Sequence, residues 1–233
     1  MLGLGLSNTK NEDERFVFSP IDLQPGITAM FFQSYSSNII KTNPTVTGVM
    51  ERWKNTHPTS TDSDLFMTQS TVSYKPTFNV EHEQIVFGGD DWLRSAESLM
   101  LHNNDGWTFF AVFSSQDWSS EFTLCSQGTG TFIEWNASDG FHVKTRNSST
   151  GATSVTLLSP ESEQLDSILS GEYDDVMITL TIICEDQSLS TNEIGAKGGA
   201  DHFSGSMKAM GFISAPISTT ERDDLYNWSL SII

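Results

Sequence analysis

The sequence predicts an all-β fold, an antiparallel β-sandwich with one or two short helices, and three observations carry that expectation. Residues 107–113 are apolar on both faces of a two-residue period: Trp107, Phe109, Ala111 and Phe113 fall on one side, Phe110 and Val112 on the other. A strand of this kind cannot lie against water on either side, so it belongs in the middle of a layered structure. Its aromatic and β-branched content, and its shortness for a helix, favour the strand. Beyond it, strand signals recur at 122–126, 131–135, 141–146, 153–158, 176–184 and 207–213, separated by turn residues. Spacing of this kind describes antiparallel hairpins rather than βαβ units. Before it, residues 16–78 show no helical periodicity.

In chain order, residues 1–6 alternate Leu and Gly and 7–15 are polar throughout. Residues 1–15 read as an N-terminal arm, either frayed or using Leu2, Leu4 and Leu6 to dock on a neighbouring chain. Residues 16–233 read as one domain, with no internal repeat and no linker long enough to divide them. Short elements follow at 16–18, 27–32 and 46–53, and Pro20, Pro25, Pro44, Pro58 and Pro76 fall between or beside them. Proline lacks the ladder donor, so these are turns or strand edges. A polar loop surrounds His57-Pro58. The segment 84–113 then reads as two strands joined by a polar loop: Ile85-Val86-Phe87, stopped by Gly88-Gly89-Asp90-Asp91 before Trp92-Leu93, and the core strand 107–113.

Turns after the core strand are supplied by Gly128-Thr129-Gly130, Ser138-Asp139-Gly140 and residues 147–151. The strongest later strand is 175–183, with Val176, Ile178, Leu180 and Ile182 facing one way. A first helix is predicted from Ser159, with Pro160 at its first position, an apolar stripe of Leu165, Ile168 and Leu169, and Gly171 as its stop. A second begins at Ser218-Thr219-Thr220-Glu221, which fits a capping box, with Leu225 and Trp228 on one face.

At 233 residues the chain is long enough for one large all-β domain. Its 15 Phe and 6 Trp suffice to fill a sandwich core. The net charge of −18, from 12 Lys and Arg against 30 Asp and Glu, repels phosphate backbones and anionic lipid. Nucleic-acid and membrane partners are therefore not expected. The apolar start lacks the basic residues and length of a signal peptide, and nothing approaches a membrane span. Without the secretory route the Asn-x-Ser triplets at Asn136, Asn147 and Asn227 carry no meaning. Alternation places Cys184 towards the core and Cys125 away from it, so two reduced thiols are expected.

The order of elements resembles the concanavalin A-like, laminin G-like jelly rolls, in particular those of bacteriophage structural proteins. The matching segments are 20–27, 49–53, Lys75-Pro76-Thr77-Phe78, 85–93, 107–113, 176–183, Ile194-Gly195, 203–207 and 216–222. The resemblance implies a virion protein made in the host cytoplasm, acting through contacts with other virion proteins or with its own copies. The chain departs from the family in two places. Trp53 is followed by Lys54-Asn55-Thr56-His57-Pro58 where relatives carry an Asp and a Ser-Gly-Asn-Gly loop, and Phe-Asp-Gly has become Phe87-Gly88-Gly89. Both changes remove acidic or turn residues near the region where relatives bind calcium or sugars.

Glycoside hydrolases of this fold need two carboxylates on one strand face, either side of the scissile bond. No Glu-x-Asp-x-Glu alternation occurs here: Glu81-His82-Glu83 precedes a strand and Glu134 stands beside Trp135. No Ser/His/Asp order suggests a triad, and His57, His82, His102, His142 and His202 show no zinc-type pairing. No catalytic residues and no cofactor are expected. The metal worth naming is calcium, for which Asp90-Asp91 and Asp174-Asp175 offer hard oxygen ligands in loops, although Asp is also a common turn residue. A host glycan would use exposed aromatics, for which Trp118 and then Trp135 are the candidates. The more common role of such an indole is to plug the sandwich edge or an intersubunit contact, because a large aromatic rarely stays exposed.

Overall fold

The computed structural model describes residues 20, 30–34, 38–41, 47–55, 66–101, 106–144, 154–159, 173–184 and 189–233. The arm with Leu2, Leu4 and Leu6, the element at 16–18, the His57-Pro58 loop and the helix expected after Ser159 lie outside them. The described residues form fifteen strands and one α-helix. The strands are β1 (Met30–Gln33), β2 (Ile39–Lys41), β3 (Gly48–Lys54), β4 (Phe66–Thr68), β5 (Thr77–Asn79), β6 (Gln84–Gly88), β7 (Leu93–Leu101) and β8 (Trp107–Ser115). They continue as β9 (Phe122–Gln127), β10 (Thr131–Asn136), β11 (Gly140–Lys144), β12 (Ser154–Leu158), β13 (Ile178–Cys184), β14 (Leu189–Ile194) and β15 (Ser204–Ile213). Helix α1 (Thr219–Leu230) follows.

The fold is the all-β antiparallel sandwich that the sequence predicts. One layer runs β12, β13, β8, β15, β6, β5, with β1 beside the last part of β15. The other runs β11, β10, β9, β14, β7, β4, β3, with β2 beside β3. Strand β3 belongs to both, its first residues pairing with β5 and its last with β4. The layers meet through large rings. Phe113 of β8 lies 6.3 Å from Phe122 of β9 and 6.3 Å from Phe141 of β11, centroid to centroid.

Strand β8 is buried along its whole length. Its inward face, with Trp107, Phe109, Ala111 and Phe113, joins the main core between the layers. Its outward face, with Phe110 and Val112, joins a second cluster with Ala209, Ile213, Ile217, Leu225 and Trp228. Helix α1 supplies that cover, and Trp228 meets Phe110 edge-on at 6.1 Å. The capping box expected at its start is present. Ser218 Oγ accepts from the Glu221 N–H at 3.3 Å, and Glu221 Oε2 accepts from the Ser218 N–H at 2.7 Å. The hydroxyls of Thr179 on β13 and Ser229 on α1 bond at 2.6 Å and settle the polar part of the same seam.

Two β-bulges set which residues face where. On β15 the ladder to β8 skips Lys208, so Met207 points into the main core while Ala209 points under α1. On β9 the ladder to β10 skips Leu124, and both Leu124 and Cys125 turn inward. This corrects the expectation that Cys125 faces away from the core, because strict alternation fails across a bulge. Both cysteines are fully buried. A second correction concerns 93–101, expected as a polar loop after Trp92-Leu93; they form β7, which pairs with β14. Leu93 and Ser95 are buried while Arg94 and residue 96 are exposed, so a half-polar strand is held by its partners. Strand β14 itself was not foreseen.

Gly205 sits where β15 crosses the end of β8, and a Cβ there would lie 2.0 Å from the Ser114 carbonyl oxygen. Backbone cannot yield to that contact. Gly205→Ala is expected to cost about 3 kcal/mol or more in urea unfolding, the upper range for overpacking; a loss well under 1 kcal/mol would mean that the crossing is looser than described. Cys125 and Cys184 should both resist a thiol reagent in the native protein and react only on unfolding. Burial also pushes the Cys125 thiol far above its ordinary pKa.

Candidate functional site

The sequence-predicted glycan residues lie inside the protein. Trp118 is 1% exposed and Trp135 4%. The turn after β8 explains why Trp118 points in. Asp117 accepts from the Ser119 N–H at 2.8 Å and from the hydroxyls of Ser119 and Ser120 at 2.5 and 2.6 Å. Those hydroxyls hold its carboxyl below the ordinary range. The tightened turn drives the indole between Phe113 and Phe122, 5.8 and 5.6 Å away. The Trp118 indole N–H donates to the Tyr173 carbonyl at 3.1 Å, and that of Trp135 to the Trp118 carbonyl at 3.0 Å. The two indoles meet edge-to-face at 5.1 Å. With their N–H groups satisfied, these two buried rings plug the end of the sandwich, and neither offers a face to a sugar.

The calcium candidates do not converge. Asp91 Oδ2 accepts from the Gly88 N–H at 2.7 Å, closing the turn after β6. Burial raises the pKa of its carboxyl, partly offset by that hydrogen bond. Asp175 takes a left-handed conformation, φ 61°, and its N–H donates to the Ser115 carbonyl at 2.8 Å, which sets the entry into β13. Asp90, Asp91, Asp174 and Asp175 thus serve as turn residues and belong to no ligand cluster among the described residues.

A different carboxylate trio does converge, on the outward face of β9 and β10. Glu121, Glu134 and Asp201 bring oxygens within 4.8 Å of one another. Sequence reading left Glu134 alone because its neighbours come from a separate turn and from the loop after β14. Such oxygens suit a hard cation, yet the chain supplies its own. Lys197 Nζ bonds Glu134 Oε2, lies 2.8 Å from Asp201 Oδ2 and 3.8 Å from Glu121 Oε1, and sits 4.6 Å from the Phe132 ring centre. Burial alone would lower the Lys197 pKa; the hydrogen bonds it donates to Asp201 and Glu134 outweigh that and hold the group above its ordinary value. One strand away, the fully buried Glu193 is met by Arg94, by Ser126 Oγ at 3.0 Å and by the Gly198 N–H at 2.7 Å. Together these clasp the 195–203 loop onto the second layer.

No family model, curated protein or solved structure matches this chain.

The clasp gives a pH signature. A lysine whose pKa is raised by folding contributes stability that is fully present below its unfolded value of 10.5 and is lost as pH climbs through the folded value. Stability is therefore expected to fall above about pH 10.5. Lys197→Met should flatten that alkaline fall relative to the parent when the melting temperature is followed from pH 8 to 11.5. An identical alkaline slope in the two proteins would remove Lys197 from the account.

Proposed function

We propose that the protein is a non-catalytic structural subunit of a bacteriophage virion, a capsid decoration or cement protein or a fibre or tail-associated subunit, built on a concanavalin A-like jelly roll. One observation supports it above the rest: the groups best suited to a ligand are engaged by the chain itself. Trp118 and Trp135 are seated in the core, and the carboxylate trio is closed by Lys197. What remains outside is a stiff two-layer body with an acidic charge of −18 that keeps free copies soluble. Such a body works through its surface contacts. The resemblance in element order adds the virion setting, and the arm at 1–15 would add a docking segment. Among the described residues no helix is long and apolar enough to cross a membrane.

Antibody-gold labelling of purified particles tests the reading. Regular label on the head supports a decoration protein, and label on the tail or fibres supports a tail-associated subunit. Particles without label would overturn the virion assignment. Removing residues 1–15 should abolish incorporation while the melting temperature stays unchanged; normal incorporation would remove the arm from the proposal. A glycan-array signal would instead favour an adhesin that binds host polysaccharide.

A further inference from the structure

The outward face of the second layer carries a row of residues registered straight across seven strands. Arg52 opposes Thr68, Thr68 opposes Arg94, and Arg94 opposes Glu193. Glu193 then opposes Ser126, Ser126 opposes Phe132, and Phe132 opposes Lys144. At about 4.8 Å per strand the row is about 29 Å wide. Nine of the chain's 12 basic residues lie among the described residues, and five of those nine (Arg52, Lys54, Arg94, Lys144 and Lys197) gather on this face. The same face holds Glu193, Glu134, Glu121 and Asp201, which engage Arg94 and Lys197 at its β9–β14 end.

The half of the face built on β3, β4 and β7 is the open one. Arg52 and Lys54 are exposed, and neither has a carboxylate partner among the described residues. Arg52 lies 4.3 Å from the Phe66 ring centre and Arg94 5.1 Å from that of Trp92. The Phe66 ring holds the Arg52 guanidinium in place and leaves its N–H edge free to meet a carboxylate, whereas the Arg94 guanidinium already bonds Glu193. Beside Trp92, whose N–H donates to the Tyr74 carbonyl at 3.1 Å, the turn at Val72–Tyr74 exposes Val72 at 69% and Tyr74 at 42%. Arg52, exposed beside an aromatic ring and with no carboxylate partner among the described residues, together with the apolar Val72 and Tyr74, has the composition of an interface centre.

We propose that this Arg52–Lys54 face docks the helix side of a second copy of the same chain, head to tail. Charge complementarity selects that occupant. Helix α1 covers the outside of the opposite layer, so it lies on the far side of the sandwich. It carries Glu221, Asp223 and Asp224 against the single cation Arg222, and Asp223 is 59% exposed. Two faces of opposite charge on opposite sides cannot close on themselves. They generate a head-to-tail contact, which builds rings or extended rows. The contact deepens the assembly reading and rests on it in one respect, that the chain works in many copies.

Sedimentation velocity on the purified full chain tests the contact apart from any particle, so its failure leaves the labelling result standing. Association should grow with protein concentration in about 0.1 M salt, where a Debye length of about 10 Å screens the net-acidic bodies from each other more than the charges in contact, and vanish in about 1 M salt, where it is about 3 Å. The Arg52→Glu/Lys54→Glu variant should keep the parent melting temperature yet associate about a hundredfold more weakly, because like charges then face each other. Asp223→Lys/Asp224→Lys should do the same, and mixing the two variants should restore association between them. A chain that stays monomeric in about 0.1 M salt at near-millimolar concentration overturns the proposal. So does association indifferent to both charge reversals. Arg52-dependent binding of polygalacturonate by a strictly monomeric chain would overturn it too and assign the face to an acidic polysaccharide.

Discussion

Everything in this architecture follows from a strand that has no side to show to water. Strand β8 is apolar on both faces and buried at every position, so it needs a layer on each side. The second sheet covers the inward face through Phe113 and its ring neighbours. Helix α1 covers the other through Trp228 and Leu225. The bulge at Lys208 is what reconciles the two demands on β15: it lets one strand feed Met207 to the first core and Ala209 to the second. A strict two-residue period would have placed both on one side.

The second layer solves the opposite problem. Its outward face is polar, and one end is folded under the 195–203 loop, so carboxylates that would ordinarily stay wet become partly or fully buried. Glu193 and Glu134 are tolerated because each is met by a cation and, for Glu193, by a hydroxyl and a backbone N–H as well. Buried charge without such partners is costly. Arg94 and Lys197 are spent on these carboxylates, while Arg52 and Lys54 on the same side form no ion pair among the described residues. The same geometry that closes one end of the face leaves the other end open.

What the sequence revealed divides along physical lines. Strands β8 and β13 and the cap of α1 were legible because their signals are local: two-faced hydrophobicity, strict alternation, and a Ser–Glu pair three residues apart. The insides of the bulges were not, since an extra residue such as Leu124 leaves no mark in the pattern it shifts; the facing of Cys125 was misread for that reason. Strand β14, with Leu189 and Ile194 at its ends and Ser, Thr, Asn and Glu between, hides because its polar side chains are buried by partners and not by hydrophobicity. The Lys197 clasp joins residues from three separate parts of the chain, and only the fold assembles it. Trp118 and Trp135 were visible as special residues, but whether they stand outside or inside depended on the Asp117 turn.

The pairing of β8 also has a consequence for how the chain is made. Its two neighbours in the sheet, β13 and β15, lie about 65 and about 95 residues further along. At a synthesis rate of roughly 5–20 residues per second, this most apolar segment leaves the ribosome several seconds, up to about 20 s, before its last partner strand exists. During that interval its two hydrogen-bonding edges are not both paired, and its outward face waits longer still, for α1. The cell must therefore shield the nascent segment, or the acidic residues around it must keep neighbouring nascent chains apart. Yield of intact protein then becomes a matter of elongation rate and chaperone supply as much as of final stability.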